Sequence, residues 1–225
     1  MEQNTTIRQA VMEMLGEEKL QEIQQMVQDM EKMMLYYRCA MREVETKFLV
    51  LDDQLSMNRE RNPIESVKTR LKTMQSIQHK LNRLQLPFDR AVIEGNLNDV
   101  AGVRVICGFI DDVYMLADCL LKQDDVTLIR RKDYIAEPKP NGYRSLHLII
   151  EIPIFLCDEK KPVRVEVQLR TIAMETWANL EHRMRYKKDL SPEKLAQIAD
   201  MLNECAEMSN VLDLKMQEVR DIVRS

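Results

Sequence analysis

Apolar and polar residues alternate most cleanly at PVRVEVQLR, residues 162–170, where Val163, Val165, Val167 and Leu169 share one face and Arg164, Glu166, Gln168 and Arg170 the other. A period of two is that of a strand with one buried face. GVRVICGF (102–109), TLIRRKDY (127–134) and SLHLIIEIPIF (145–155) also read as strands. Between the first two, DDVYMLADCLLKQD (111–124) has helical spacing and opens on two acids, as the positive end of a helix favours. A helix is expected from about Ile172 to Lys188, and Ser191-Pro192-Glu193 begins a last amphipathic one with proline in its first turn. Residues 7 to about 60 are continuous in helix formers, with a joint expected near Gly16 or a break near Asp52-Asp53.

The segment ESVKTRLKTMQSIQHKLNRLQL (65–86) fits two patterns, and its charges decide between them. As one helix, at about 100° per residue, Arg70 falls among Met74, Ile77 and Leu81 and a guanidinium would be buried. As a strand over residues 66–72, Val67, Thr69 and Leu71 point one way while Lys68, Arg70 and Lys72 point the other. A strand followed by a helix capped near Thr73 is therefore preferred, with Ser76, Lys80 and Arg83 on the helix's polar face. Together the elements predict an α/β (α+β) fold: one mixed five-stranded sheet flanked by helices, with helical N- and C-terminal extensions. The expected boundaries are 1–62, 63–190 and 191–225.

A chain of 225 residues can bury one sizeable core. Its net charge of −4 means that a polyanion must be held by a local basic patch rather than by the field of the whole molecule. No stretch is apolar enough to span a membrane and the N-terminus does not read as a leader, so a cytoplasmic protein is expected. Five dispersed cysteines with no C-x-x-C spacing read as buried free thiols, not a disulfide frame or a zinc site. The methionines, sixteen in all, concentrate in the terminal helical regions, where core or oligomer contact is the ordinary reading.

The candidate chemistry lies on the polar faces. Asp99 immediately precedes the strand that carries Arg104, and it could meet Glu166 across a shared cleft if the two strands are neighbours. Two carboxylates plus substrate phosphates suffice for Mg²⁺. Lys68, Arg70, Lys72, Ser76, Lys80 and Arg83 surround a strand-to-helix junction, where free backbone N–H groups add to the cationic field. That arrangement suits a triphosphate, held by side chains, since no glycine-rich phosphate loop is present. The three histidines, His79, His147 and His182, form no metal-hydrolase motif. NGYRSLH (141–147) joins a turn former to Tyr143, Arg144, Ser145 and His147, a composition that asks for a ligand as well as a turn. Other readings share these features. An RNA-binding regulatory module would use the same basic face, although aromatics are only 5% of the chain. A scaffold joined through the Met-rich helices, or a nucleotidyltransferase that transfers AMP, would have a similar sheet.

Four segments carry a family resemblance: RLKTMQSIQHKLNR, NDVAGVRVIC, KDYIAEPKPNGYRSLH and VEVQLRTIAMETWANLEHRMRYK. They resemble the synthetase domain of the RelA/SpoT family over about residues 50–190, and the chain is similar to a small alarmone synthetase, nearer the RelP or YwaC branch than the RelQ branch. The resemblance implies transfer of the β,γ-pyrophosphate of ATP to the 3′-hydroxyl of GTP or GDP, giving pppGpp or ppGpp and AMP. It implies Arg70 and Arg104 around adenine, and Lys72, Ser76, Lys80 and Arg83 on the ATP phosphates. Asp99 and Glu166 would hold Mg²⁺, with Glu166 also the base. Tyr143 would stack on guanine, Lys139 and His147 would contact the acceptor's phosphates, and Gln168 and Glu181 would support the site. A homotetramer built through the terminal helices is implied, with no membrane or DNA partner, and RNA binding is disfavoured. The family often reads Ser-Pro-Glu-Ser where this chain has Thr73-Met74-Gln75-Ser76. The loop at residues 132–142, without an apolar anchor beyond Ile135, is expected to be mobile until the acceptor binds. Arg144 and Ser145 receive no role.

Overall fold

In a computed structural model, the structure describes residues 17–57, 62–185 and 191–224. Helix α1 (Glu17–Ser56) is followed by β1 (Ile64–Leu71), α2 (Met74–Leu84), α3 (Arg90–Asn96), β2 (Ala101–Cys107), α4 (Ile110–Leu121) and β3 (Thr127–Asp133). Then come β4 (Leu146–Phe155), β5 (Lys160–Thr171), α5 (Ile172–Arg185) and α6 (Pro192–Arg224). The strand order is β1-β2-β5-β4-β3, with β2 and β5 parallel and the other neighbours antiparallel. The mixed five-stranded sheet is thus as the alternation predicted.

The strand reading of the ambiguous segment holds. β1 ends at Leu71, and Thr73 caps α2 by accepting a hydrogen bond at Oγ1 from Ser76 N, 3.2 Å away. A hydroxyl cap does here what proline at the first helical turn does elsewhere. The break considered near Asp52-Asp53 is absent, because α1 runs unbroken to Ser56; the joint considered near Gly16 lies outside the described residues. Helix α3 was missed: it is short, and its signal is the single residue Asp89, whose carboxylate accepts from Val92 N.

One face of the sheet is dry. Val103, Val105, Leu148, Ile150, Val165 and Val167 pack under Met33, Phe48, Ile77, Ile93 and Leu116 from α1, α2, α3 and α4, all of them buried. A second, smaller cluster joins Trp177 of α5 to Leu202 and Ala206 of α6, with Tyr143 against it. The five thiols are free, but only Cys107 is buried; Cys39 and Cys119 are half-buried, and Cys157, in the β4–β5 turn, and Cys205, on α6, are exposed, contrary to expectation. No helix among the described residues is long and apolar enough to cross a membrane.

Candidate active site

With one face of the sheet buried, strand alternation delivers the polar side chains to the other, and the register arranges them in rows. Lys68, Arg104, Gln168, His147 and Lys132 lie side by side across all five strands. In the next row stand Arg70, Gly102, Glu166, Ile149 and Arg130. Gly102 has no side chain, so the row is open between Arg70 and Glu166. A cavity of about 320 Å³ occupies this place, lined by Arg70, Lys72, Asp99, Arg104, Glu166 and Gln168 among others. A second cavity of about 140 Å³ is lined by Lys80, Asn98, Asp99, Arg130, Lys132, His147 and Glu166. Asp99 and Glu166 border both, so two cation-lined spaces meet at two carboxylates.

Each carboxylate is held by cations or donors. Lys72 Nζ donates to Asp99 Oδ2 at 2.7 Å, and Lys80 Nζ lies 2.6 Å from Oδ1. Each oxygen of the Asp99 carboxylate thus faces one lysine. Burial pushes the Asp99 pKa up, but the two lysines outweigh it and hold the carboxyl below its ordinary range. Glu166 Oε1 lies 3.2 Å from His147 Nδ1, and Oε2 accepts from Gln168 Nε2 at 2.9 Å. Here too burial raises the pKa and the hydrogen bonds more than offset it, leaving Glu166 ionised below the usual range.

The residues expected to meet the acceptor cluster around His147. Its Nε2 lies 2.7 Å from the Tyr143 hydroxyl, and the Tyr143 and Tyr134 rings meet it edge-on. Lys139 Nζ sits 4.6 Å from the Tyr134 ring centre and 4.5 Å from that of Tyr143. The loop that carries Lys139 has more anchorage than the sequence suggested. Tyr143 packs against the Trp177 cluster, Arg144 Nη2 donates to Glu207 of α6 at 3.1 Å, and Gly142 abuts Ala206.

Thus Arg70, Lys72, Lys80, Asp99, Arg104, His147, Glu166 and Gln168 line the two cavities, with Tyr143 and Lys139 adjoining. Ser76, Arg83 and Glu181 line neither. Ser76 accepts from Thr73 Oγ1 at 2.9 Å, Arg83 is in the exposed last turn of α2, and Glu181 is half-buried on α5. Sequence reasoning passed over Arg130, Lys132, Arg170 and Glu175. Alternation in TLIRRKDY could have found the first two, since they lie two apart on one face. Glu175 looks like an ordinary acid in a first helical turn, yet it is 7% exposed and pairs with Arg104 at 3.1 Å and Arg170 at 2.8 Å. Burial raises its pKa, and Arg104 and Arg170 together bring it below the ordinary value.

Residues 69–191 match the model of a region found in RelA and SpoT proteins. The chain is 39% identical to the GTP pyrophosphokinase YwaC of Bacillus subtilis, over 89% of this chain and 95% of that protein. It is 35% identical to the GTP pyrophosphokinase YjbM of the same organism, over 86% and 90% of the two chains. Among solved structures, small alarmone synthetase 1 of B. subtilis bound to its product pppGpp superposes with a TM-score of 0.78 at 35% identity, covering 88% of this chain and 100% of that one. Small alarmone synthetase 2 of B. subtilis gives a TM-score of 0.76 at 40% identity, covering 86% and 98%. The implied resemblance therefore holds over most of the sequence, and the chain belongs to the RelA/SpoT family, among its small alarmone synthetases.

Proposed function

We propose that this chain is a (p)ppGpp synthetase, transferring the β,γ-pyrophosphate of ATP to the 3′-hydroxyl of GTP or GDP. The carrying observation is the pair Asp99 and Glu166 on the common wall of two cation-lined cavities. In this reading ATP takes the larger cavity, with Arg70 and Arg104 about adenine and Lys72 and Lys80 beside the phosphates; Ser76 and Arg83 extend that cationic edge along α2. The acceptor takes the smaller one, with His147 and Lys139 toward its phosphates and Tyr143 beneath its base. Because Lys139 rests over the Tyr143 ring, a stacking guanine displaces it toward the acceptor's phosphates. Gln168 steadies Glu166 directly; Glu181 supports from α5.

The acceptor's 3′-oxygen attacks the β-phosphorus, the bond from that phosphorus to the oxygen bridging it to the α-phosphate breaks, and AMP leaves with the electron pair. Glu166, ionised and held at both oxygens, receives the hydroxyl proton. Little covalent help is needed beyond alignment and positive charge. Asp99 and Glu166 also suit Mg²⁺. Among the described residues no group of three metal-ligating side chains exists, but one or two carboxylates with substrate phosphates are this ion's ordinary set, and Asp99 and Glu166 border both cavities. When bound, Mg²⁺ supplies charge neutralisation on the transferring phosphates.

A homotetramer through the terminal helices fits the apolar side chains they leave exposed, such as Met26 and Val27 on α1 and Met208, Leu212 and Met216 on α6. A cytoplasmic enzyme accords with its free thiols and its nucleotide substrates. Purified protein with Mg²⁺, ATP and labelled GTP tests the activity. AMP and a 3′-pyrophosphorylated guanosine nucleotide are expected; release of pyrophosphate in place of AMP would instead establish an AMP-transferring enzyme. Glu166→Gln should lower kcat by about 10²- to 10⁴-fold, and full activity in that variant would remove Glu166 as the base.

A further inference from the structure

Arg170 stands outside both cavities and yet touches the groups that frame them. It is 4% exposed, at the C-terminal end of β5, with every guanidinium nitrogen engaged. Nη1 donates to Glu175 Oε2 at 2.8 Å, and Nε to Ser145 Oγ at 3.4 Å, whose own proton goes to Leu169 O at 3.1 Å. Nη2 donates twice, to Gln168 Oε1 at 3.2 Å and to the Tyr143 hydroxyl oxygen.

That double donation has a directional consequence at Glu166. An amide whose oxygen faces a guanidinium must turn its NH₂ the other way, and Gln168 Nε2 is turned to Glu166 Oε2. A phenol whose lone pair is occupied by an N–H directs its proton elsewhere, and the Tyr143 hydroxyl faces His147 Nε2. With Nε2 accepting, the imidazole proton resides on Nδ1, the nitrogen that faces Glu166 Oε1. We infer that Arg170 is a positioning residue for the transfer reaction: one guanidinium nitrogen orients both donors, the Gln168 amide and the His147 ring, that hold the two oxygens of Glu166. Lysine cannot replace it, because a single ammonium lacks the planar fork that reaches Glu175, Ser145, Gln168 and Tyr143 together. Arg104 also reaches Gln168 Oε1, at 3.4 Å, but does not reach Tyr143, so the His147 arm depends on Arg170 alone among the cations bonded there.

The inference rests on Glu166 as the base, and its test has a readout that does not. In ¹⁵N spectra of the nucleotide-free protein at about pH 8.5, above the ordinary imidazole titration, His147 is expected as the Nδ1-protonated tautomer, assigned against two other histidines. Arg170→Lys should shift it to a mixture of tautomers, lower kcat at least tenfold, and leave the KM for ATP within threefold. Tyr143→Phe, which removes only the hydroxyl, should produce the same tautomer change, and it serves if Arg170→Lys does not fold. A wild-type tautomer signature in both variants overturns the inference, as does an undiminished kcat in Arg170→Lys. Should Glu166→Gln prove fully active, the base assignment falls while the tautomer measurement still reads Arg170's role.

Discussion

Gly142 is one of the points at which α6 touches the loop before β4, and Gly142→Ala measures that contact. Its φ is +82°, and a β-carbon there would lie 2.5 Å from Ala206 Cβ, with Asn203 Oδ1 at 3.3 Å. Left-handed backbone costs an L-residue roughly 1–2 kcal/mol. The collision is with a β-carbon fixed on a helix, which cannot rotate aside, so α6 or the loop must move; such overpacking adds about 1–3 kcal/mol. The expected loss is therefore roughly 2–5 kcal/mol of stability, read from urea unfolding at fixed protein concentration. Ala206→Gly in the same background separates the two contributions. It costs about 1 kcal/mol in its own right as a helical glycine, but it removes the collision and leaves the backbone strain. The double-mutant cycle should give a favourable coupling of about 1 kcal/mol or more. Since Tyr143 is the next residue, the KM for GTP should rise in Gly142→Ala while that for ATP holds. A coupling near zero, or a stability loss below about 1 kcal/mol, would refute the claim that α6 is seated against this glycine.

Asp99→Asn removes the carboxylate shared by Lys72 and Lys80, and the Mg²⁺ concentration for half-maximal activity should rise at least ~10-fold; an unchanged Mg²⁺ titration would remove Asp99 from the metal site. Glu175 has a folded pKa below its ordinary 4.5, so its contribution to stability is present above that value and lost as pH falls through the folded one. Urea midpoints measured from about pH 7 down to about pH 3.5 should drop less in Glu175→Gln than in the wild type, and equal drops would show that its pairs with Arg104 and Arg170 contribute nothing. Asp213 has the opposite sign: burial raises its pKa, more than its hydrogen bond from Thr171 Oγ1 at 2.7 Å and the nearby Arg144 lower it. Its ionised form is a cost at neutral pH, so Asp213→Asn, which keeps an acceptor for Thr171, should raise Tm at pH 7, and a lower Tm would contradict this.

How much of this was legible follows from what alternation encodes. It assigns a residue to a face, and so it placed Arg70, Arg104, Glu166 and Gln168 together, and settled β1 as a strand because a helix would have buried Arg70. It does not assign a residue to a neighbour. The open place beside Glu166 exists because β2 and β5 run parallel with Gly102 opposite Glu166, a pairing of residues 64 apart in sequence that alternation cannot supply. Nor does alternation separate a solvated face from a covered one. Arg170 falls on the same face as Glu166 and Gln168, but α5 begins two residues later and folds Glu175 over it, so the outermost member of a polar face is among the most deeply buried charges. Arg144 and Ser145 were unreadable for a related reason: their partners lie on α6 and β5, 63 and 24 residues away. Composition suggests an unanchored loop because it counts only apolar side chains as anchors, whereas Gly142 fits against Ala206 by having no side chain. Asp99 and Glu166 border open cavities, and a carboxylate so placed suggests its chemistry by residue type alone. Glu175 and Arg170 satisfy each other inside the protein, so nothing in their types points to a ligand. Arg170's part in the reaction becomes visible only through the orientation it imposes on Gln168, Tyr143 and His147.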